Sequence, residues 1–168
     1  MPVMATASFT TPITDDPWAV IARTAGPFNA AVHVASTSYP YFQLTEPMDI
    51  VAIYASLQVV ASSAATLTLY KISGTGTAGL LSTGTALTSA LTLTATDFTA
   101  GQLHDVAEKA VAGTWTSLPA GTIIGGVTGA TATTGLVGLS LTFVMRKAGY
   151  VTTTSGGKFY PVPSPVNF

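Results

Sequence analysis

Hydrophobicity alternates along Asp49–Ala61. Val51, Ile53, Ala55, Leu57 and Val59 fall on one face of an extended chain, and Ile50, Ala52, Tyr54, Ser56 and Gln58 fall on the other. A two-residue period with one apolar and one mixed face predicts a strand covered on one side. After Ser62–Ala65, read as a turn, Thr66–Ile72 alternates again, with Leu67 and Leu69 opposite Thr66, Thr68 and Tyr70. The two runs read as a hairpin. A Gly/Ser/Thr connection, Ser73–Thr85, leads to a third strand in Leu87–Thr96, with Leu87, Ser89, Leu91, Leu93 and Ala95 on one side. Leu103–Ala112 fits helical and strand spacing alike and is read as strand. Leu118-Pro119-Ala120-Gly121 signals a turn, Thr122–Val127 a short strand and Gly129–Gly135 a loop. The cleanest alternation is Leu136–Lys147, where Val137, Leu139, Leu141, Phe143 and Met145 oppose Ser140, Thr142, Val144 and Arg146.

The flanks follow another grammar. Residues 1–40 carry Pro2, Pro12, Pro17, Pro27 and Pro40, a spacing that accommodates neither a helix nor a central strand of normal length. They read as an extended arm whose Phe9, Trp18, Val20, Ile21 and Phe28 are buried against the domain or a neighbour. Residues 148–168 contain Gly156-Gly157 and then Pro161, Pro163 and Pro165, a polyproline-like tail bearing Phe159, Tyr160 and Phe168. At least five β segments and no long helix predict an all-β chain. The expected architecture is an antiparallel β-sandwich of jelly-roll type over residues 41–147, with an extended N-terminal arm and a Pro-rich C-terminal tail.

Composition sharpens this. The 168 residues suit one domain, and 48% are hydrophobic but only 8% charged, with 6 Lys+Arg against 7 Asp+Glu. Ordinary soluble domains use roughly 25% charged residues. So little charge reads against disorder and against binding nucleic acid through phosphate neutralisation. Cysteine is absent, which removes disulfides and thiolate metal sites. The N-terminal residues lack the basic and apolar regions of a secretory signal, and the longest apolar stretches are too short and too interrupted for a spanning helix, so no membrane partner is expected. A surface this poor in charge suits an assembly better than a free monomer.

Candidate chemistry is sparse. Gly74-Thr75-Gly76-Thr77-Ala78-Gly79 matches G-x-G-x-x-G after a strand, but no helix-forming pattern follows to receive a pyrophosphate, and Asp97 reaches the ribose position without a βαβ unit; it reads as a connection. His33 and His104 lack metal-ligand spacing, and His104-Asp105 point to opposite faces of a strand. Asp15-Asp16 before Pro17 reads as a turn and lacks the further acids of a calcium site. Glu46, Asp49, Asp97, Asp105 and Glu108 are scattered, whereas a glycosidase needs two facing acids. No catalytic, cofactor or metal residue is therefore assigned, and the chain reads as a non-enzyme. Trp18, Trp115, Tyr39, Tyr41, Phe42, Tyr54 and Tyr70 could stack on sugars, although core or interface is the commoner fate of aromatics at strand spacing.

The order of Pro40-Tyr41, Ile50-Val51-Ala52-Ile53, Ala65-Thr66-Leu67-Thr68-Leu69-Tyr70-Lys71, Gly84-Thr85-Ala86-Leu87, Leu118-Pro119-Ala120-Gly121 and Gly135–Phe143 is similar to that of tailed-bacteriophage capsid decoration proteins. The resemblance spans about Tyr39 to Lys147 and rests on β and turn patterns, with no chemical signature. It implies a non-enzymatic cement protein that is made in the host cytoplasm and resides on the virion. Its partners would be the major capsid protein and itself, as a homotrimer that stabilises the shell. Phe9, Trp18, Ile21, Phe28, Phe159, Tyr160 and Phe168 are then the expected capsid or subunit contacts. The alternative is a tail-fibre or head-fibre module that recognises a cell-surface glycan.

Overall fold

The computed structural model describes residues 20–29, 37–62, 65–73, 83–129, 136–148, 150–155 and 158–163. The chain is all-β. A first antiparallel sheet runs in the order β1 (Val20–Phe28), β9 (Leu139–Lys147), β3 (Met48–Ser56), β7 (Leu103–Asp105). A second runs β2 (Ser38–Gln43), β8 (Ile123–Thr128), β4 (Thr66–Ile72), β5 (Thr85–Ala86), with β6 (Leu91–Thr92) also on β4. Both sheets feed one core, which includes Ile53, Leu57, Leu67, Leu69, Leu87, Ile124, Leu141 and Phe143. Two further strands, β10 (Tyr150–Ser155) and β11 (Lys158–Pro163), form a separate antiparallel ribbon. Among the described residues no helix is long and apolar enough to cross a membrane.

β9 holds the centre of the first sheet because its alternation is unbroken: Leu139, Leu141, Phe143 and Met145 are all buried, and β-branched or polar residues fill the outer positions. Val137 leaves the pattern and is exposed, since Gly138 adopts φ +67° and turns the chain before the strand begins. In β3 the expected inward face is shifted. A bulge between Ile50 and Ala52 inserts one residue, so Ile50 is buried, Val51 is 49% exposed and Ile53 returns inward.

β3 and β4 do not form the expected hairpin; they lie in different sheets. Both are buried on their inner faces, and the connection across Ala61–Ala65 passes from one sheet to the other, closing the core between them. The expected strand Leu87–Thr96 is also different. Leu87, Leu91 and Leu93 are buried as the alternation requires, but only Thr85–Ala86 and Leu91–Thr92 are strand, and a turn occupies 93–97. The gap between β5 and β6 is closed by Thr88, fully buried, whose hydroxyl accepts the Leu69 N–H at 3.1 Å. Leu103–Ala112 divides into β7 and a 3-10 turn at Ala107–Lys109.

Prolines in the first forty residues do not prevent strand formation at Val20–Phe28. That strand sits on an edge, where a missing N–H is tolerated, and its register shifts between Ala25 and Phe28, around Pro27. Pro40 likewise sits in β2, the other sheet's edge, beside a register shift. In the C-terminal segment read as polyproline-like, Lys158–Pro163 pairs with Tyr150–Ser155, placing Pro161 opposite Thr152 and Pro163 opposite Tyr150. Central β8 carries Gly125-Gly126, normally a weakness. A Cβ at Gly126 would overlap the Tyr41 hydroxyl and lie 2.7 Å from Leu67 Cδ1, so the absent side chain lets both pack inward.

Candidate functional site

Among the described residues, three ion pairs tie up six of the charges. Near the start of β3, the buried Asp49 carboxylate accepts the Ser117 N–H at 2.7 Å and lies 3.5 Å from Arg146 Nε. Lys147 pairs with Glu46 at 3.3 Å, and Arg23 stacks over the Phe42 ring with its guanidinium carbon 5.8 Å from the centroid. Lys71 donates to the Thr114 carbonyl at 2.6 Å, and burial lowers its pKa from the ordinary lysine value.

Four charges, Asp97, Asp105, Glu108 and Lys109, line a cavity of about 180 Å³, with Phe98 and His104 among its other walls. Asp97 ends the 93–97 turn and accepts the Thr92 N–H at 2.9 Å, with Lys109 at 3.4 Å. The backbone bond and then the ammonium hold its carboxyl below the usual aspartate range, against the opposing effect of burial. Asp105 accepts the Ala107 N–H at 2.9 Å, fixing the local turn that leads into the 3-10 segment. His104 Nε2 accepts the Thr99 N–H at 2.9 Å, with its ring edge-on to Phe98 at 5.0 Å. These groups fasten backbone: no group of three or more His, Cys, Asp or Glu that could hold a metal is found among the described residues.

The structure therefore brings together Asp97, Asp105 and Glu108, which the sequence left scattered, and gives His104 and Asp105 separate backbone partners. Asp97 is a turn residue, whereas Gly74–Gly79, His33 and Asp15-Asp16 lie outside the described residues. Trp18 lies outside the described residues, and the described aromatics do not form one platform. Phe42 meets Phe143 edge-on at 5.2 Å, Tyr41 lies 6.5 Å from Phe143, and Trp115 donates its indole N–H to the Leu87 carbonyl at 2.8 Å. Burial, with a smaller contribution from Tyr39, pushes the Tyr41 hydroxyl far above the ordinary tyrosine pKa.

Of the expected contact residues, Ile21 and Phe28 pack partly buried against this chain's own core, Phe28 stacking on Tyr41 at 5.3 Å. Phe159 and Tyr160 fall on β11, and Phe9, Trp18 and Phe168 lie outside the described residues.

The charge-poor surface expected from composition is located by the structure on one sheet. In the second sheet Leu67 and Leu69 point inward, so Thr66, Thr68, Tyr70 and Ile72 alternate outward, joined across the ladder by Ser38, Pro40, Ile123, Gly125, Val127 and Ala86. Among the described residues Lys71 is the one charge in these strands, and it occupies an inward register position. The signal was available: Thr66–Ile72 and Thr122–Val127 alternate without an acid at any outer position. Comparison of the chain with family models, curated proteins and solved structures finds no match.

Proposed function

We propose that this chain is a structural, non-enzymatic protein that decorates the outside of a bacteriophage head as a symmetric oligomer, a trimer on the resemblance, and stabilises the shell. The fold we assign to it is a jelly-roll-type sandwich. Chain passages from one sheet to the other at β2–β3, β3–β4 and β8–β9 support that assignment.

The observation that carries the function is the placement of charge. The ion-paired cations and acids lie outside the strands of the second sheet, whose outer face offers threonine hydroxyls, Tyr70 and small apolar groups. A free soluble monomer gains solubility from charge on such a face, whereas a copy seated on a lattice gains close contact without desolvating ions. Repeated modest contacts then add through symmetry and avidity. Asp97 and Asp105 in the cavity support this reading by holding turns together, their carboxylates engaged by backbone N–H groups and, for Asp97, by Lys109.

The test is co-sedimentation with expanded phage heads stripped of decoration. Saturable binding at a fixed number of copies per shell, with heads that release DNA at a higher temperature, is expected. Protein that stays in the supernatant at every concentration would overturn the proposal.

A further inference from the structure

We propose that β10 is a self-association edge: two copies of this chain pair their β10 strands antiparallel, about a two-fold axis, into a four-stranded sheet capped on both sides by β11. An isolated two-stranded ribbon is marginal in water, and three or more strands are needed for independent stability. Among the described residues the β10–β11 ribbon pairs with no other strand.

Its two edges are chemically unequal. Pro161 pairs with Thr152 and Pro163 with Tyr150. Proline has no N–H, so these two pairs are the non-hydrogen-bonded ones, and the positions between them, Val151, Thr153, Tyr160 and Val162, carry the bonds that join the strands. The backbone groups of Tyr150, Thr152 and Thr154 therefore point to the free edge of β10, each with an N–H to donate. On the free edge of β11 the corresponding positions are Phe159, Pro161 and Pro163, of which only Phe159 has a donor. One edge accepts another strand and the other refuses it.

The occupant follows from charge and closure. Tyr150–Ser155 contains no charged residue, no proline and no glycine, so a second copy meets it without repulsion and without the devices that normally protect an edge. With Thr152 opposite itself, Tyr150 of one copy faces Thr154 of the other, and about six backbone hydrogen bonds form. Both outer edges of the new sheet are then β11, so each β10 takes one partner copy and growth through this edge stops, separately from the surface through which the proposed trimer forms. The pairing needs no capsid, and its success or failure is read independently of head binding.

The experiment uses the full chain. Thr152→Pro removes the central donor of the free edge while leaving the bonds to β11, and the oligomer mass by light scattering should halve, with association weakened about tenfold or more. Phe159→Pro, on the refusing edge, should leave the mass unchanged. Because the chain has no cysteine, Thr152→Cys can form only an intermolecular disulfide. Facing residues in a hydrogen-bonded pair lie about 5.5 Å apart at Cα, within disulfide reach, so mild oxidation should yield a covalent dimer. This second variant stands even if the proline variant is poorly folded. A Thr152→Cys chain that stays uncrosslinked, or a mass that Thr152→Pro does not change, would overturn the proposal.

Discussion

The two-sheet body and the C-terminal ribbon are made of similar residues, yet they draw stability from different places. In the body, Leu139, Leu141, Phe143 and Met145 of β9 are buried between two sheets, so each alternate side chain has a partner layer. In the ribbon, Tyr150–Ser155 and Lys158–Pro163 pair with no other strand among the described residues, and their pairing ends at an edge rich in backbone donors on one side and poor in them on the other. Backbone pairing makes a strand in both, but period-two alternation marks it only in the body. Whether that strand is finished depends on what lies across its face and along its edge.

Substitutions can break this contrast, and the largest effect is expected in the core. Phe143 is fully buried and meets Phe42 edge-on, so Phe143→Ala should lower unfolding free energy by about 3–5 kcal/mol, measured by denaturant titration. Next comes Gly126→Ala, which drives a methyl group into the Tyr41 hydroxyl and Leu67; about 1–3 kcal/mol is expected from the same titration.

Asp97→Asn should cost about 1–2 kcal/mol at neutral pH by weakening the bonds to Thr92 and Lys109. Its pH signature is definite. The folded-state pKa lies below the ordinary 3.8, so the stabilisation is present above that value and is lost as pH falls through the folded one. The wild type should lose stability in that acid window, and the Asn variant should lose less. Smallest is Thr152→Pro, which should change the body's unfolding by less than about 0.5 kcal/mol while altering association. A large drop in body stability would erase the distinction between the two regions.

The strands of the body were legible where side-chain period and backbone pairing coincide. β9 and β4 are the examples: neither holds Gly or Pro, and both bury their alternate Leu residues. Legibility failed where one residue changed the phase, as at Val51, because a bulge leaves no mark in hydrophobicity. It failed again at Ala61–Ala65, where a short link looks the same whether it joins strands within one sheet or between two. Leu87–Thr96 shows burial outlasting the ladder, since its leucines stay inside while Thr88 and the 93–97 turn replace strand bonds.

For the candidate site, the sequence shows Asp97, Asp105 and Glu108 apart, and their convergence depends on tertiary folding that brings a turn beside a 3-10 segment. The neutral outer face of the second sheet was written in the sequence all along. Recognising it required knowing that Lys71 occupies an inward position.

The central claim is that this neutral face is the adhesive surface, and the most direct measurement places a charge in its middle. Thr68 pairs with Val127 of β8 at an outer position of the ladder, with β5 and β6 along the other side of β4. Wild type and Thr68→Lys should be titrated side by side onto expanded heads, with folding checked by thermal melting. The account expects the lysine variant to melt like the wild type and to bind about tenfold or more weakly, since burying an uncompensated ammonium at an interface costs well over 1.4 kcal/mol. Equal binding of the two proteins would contradict it.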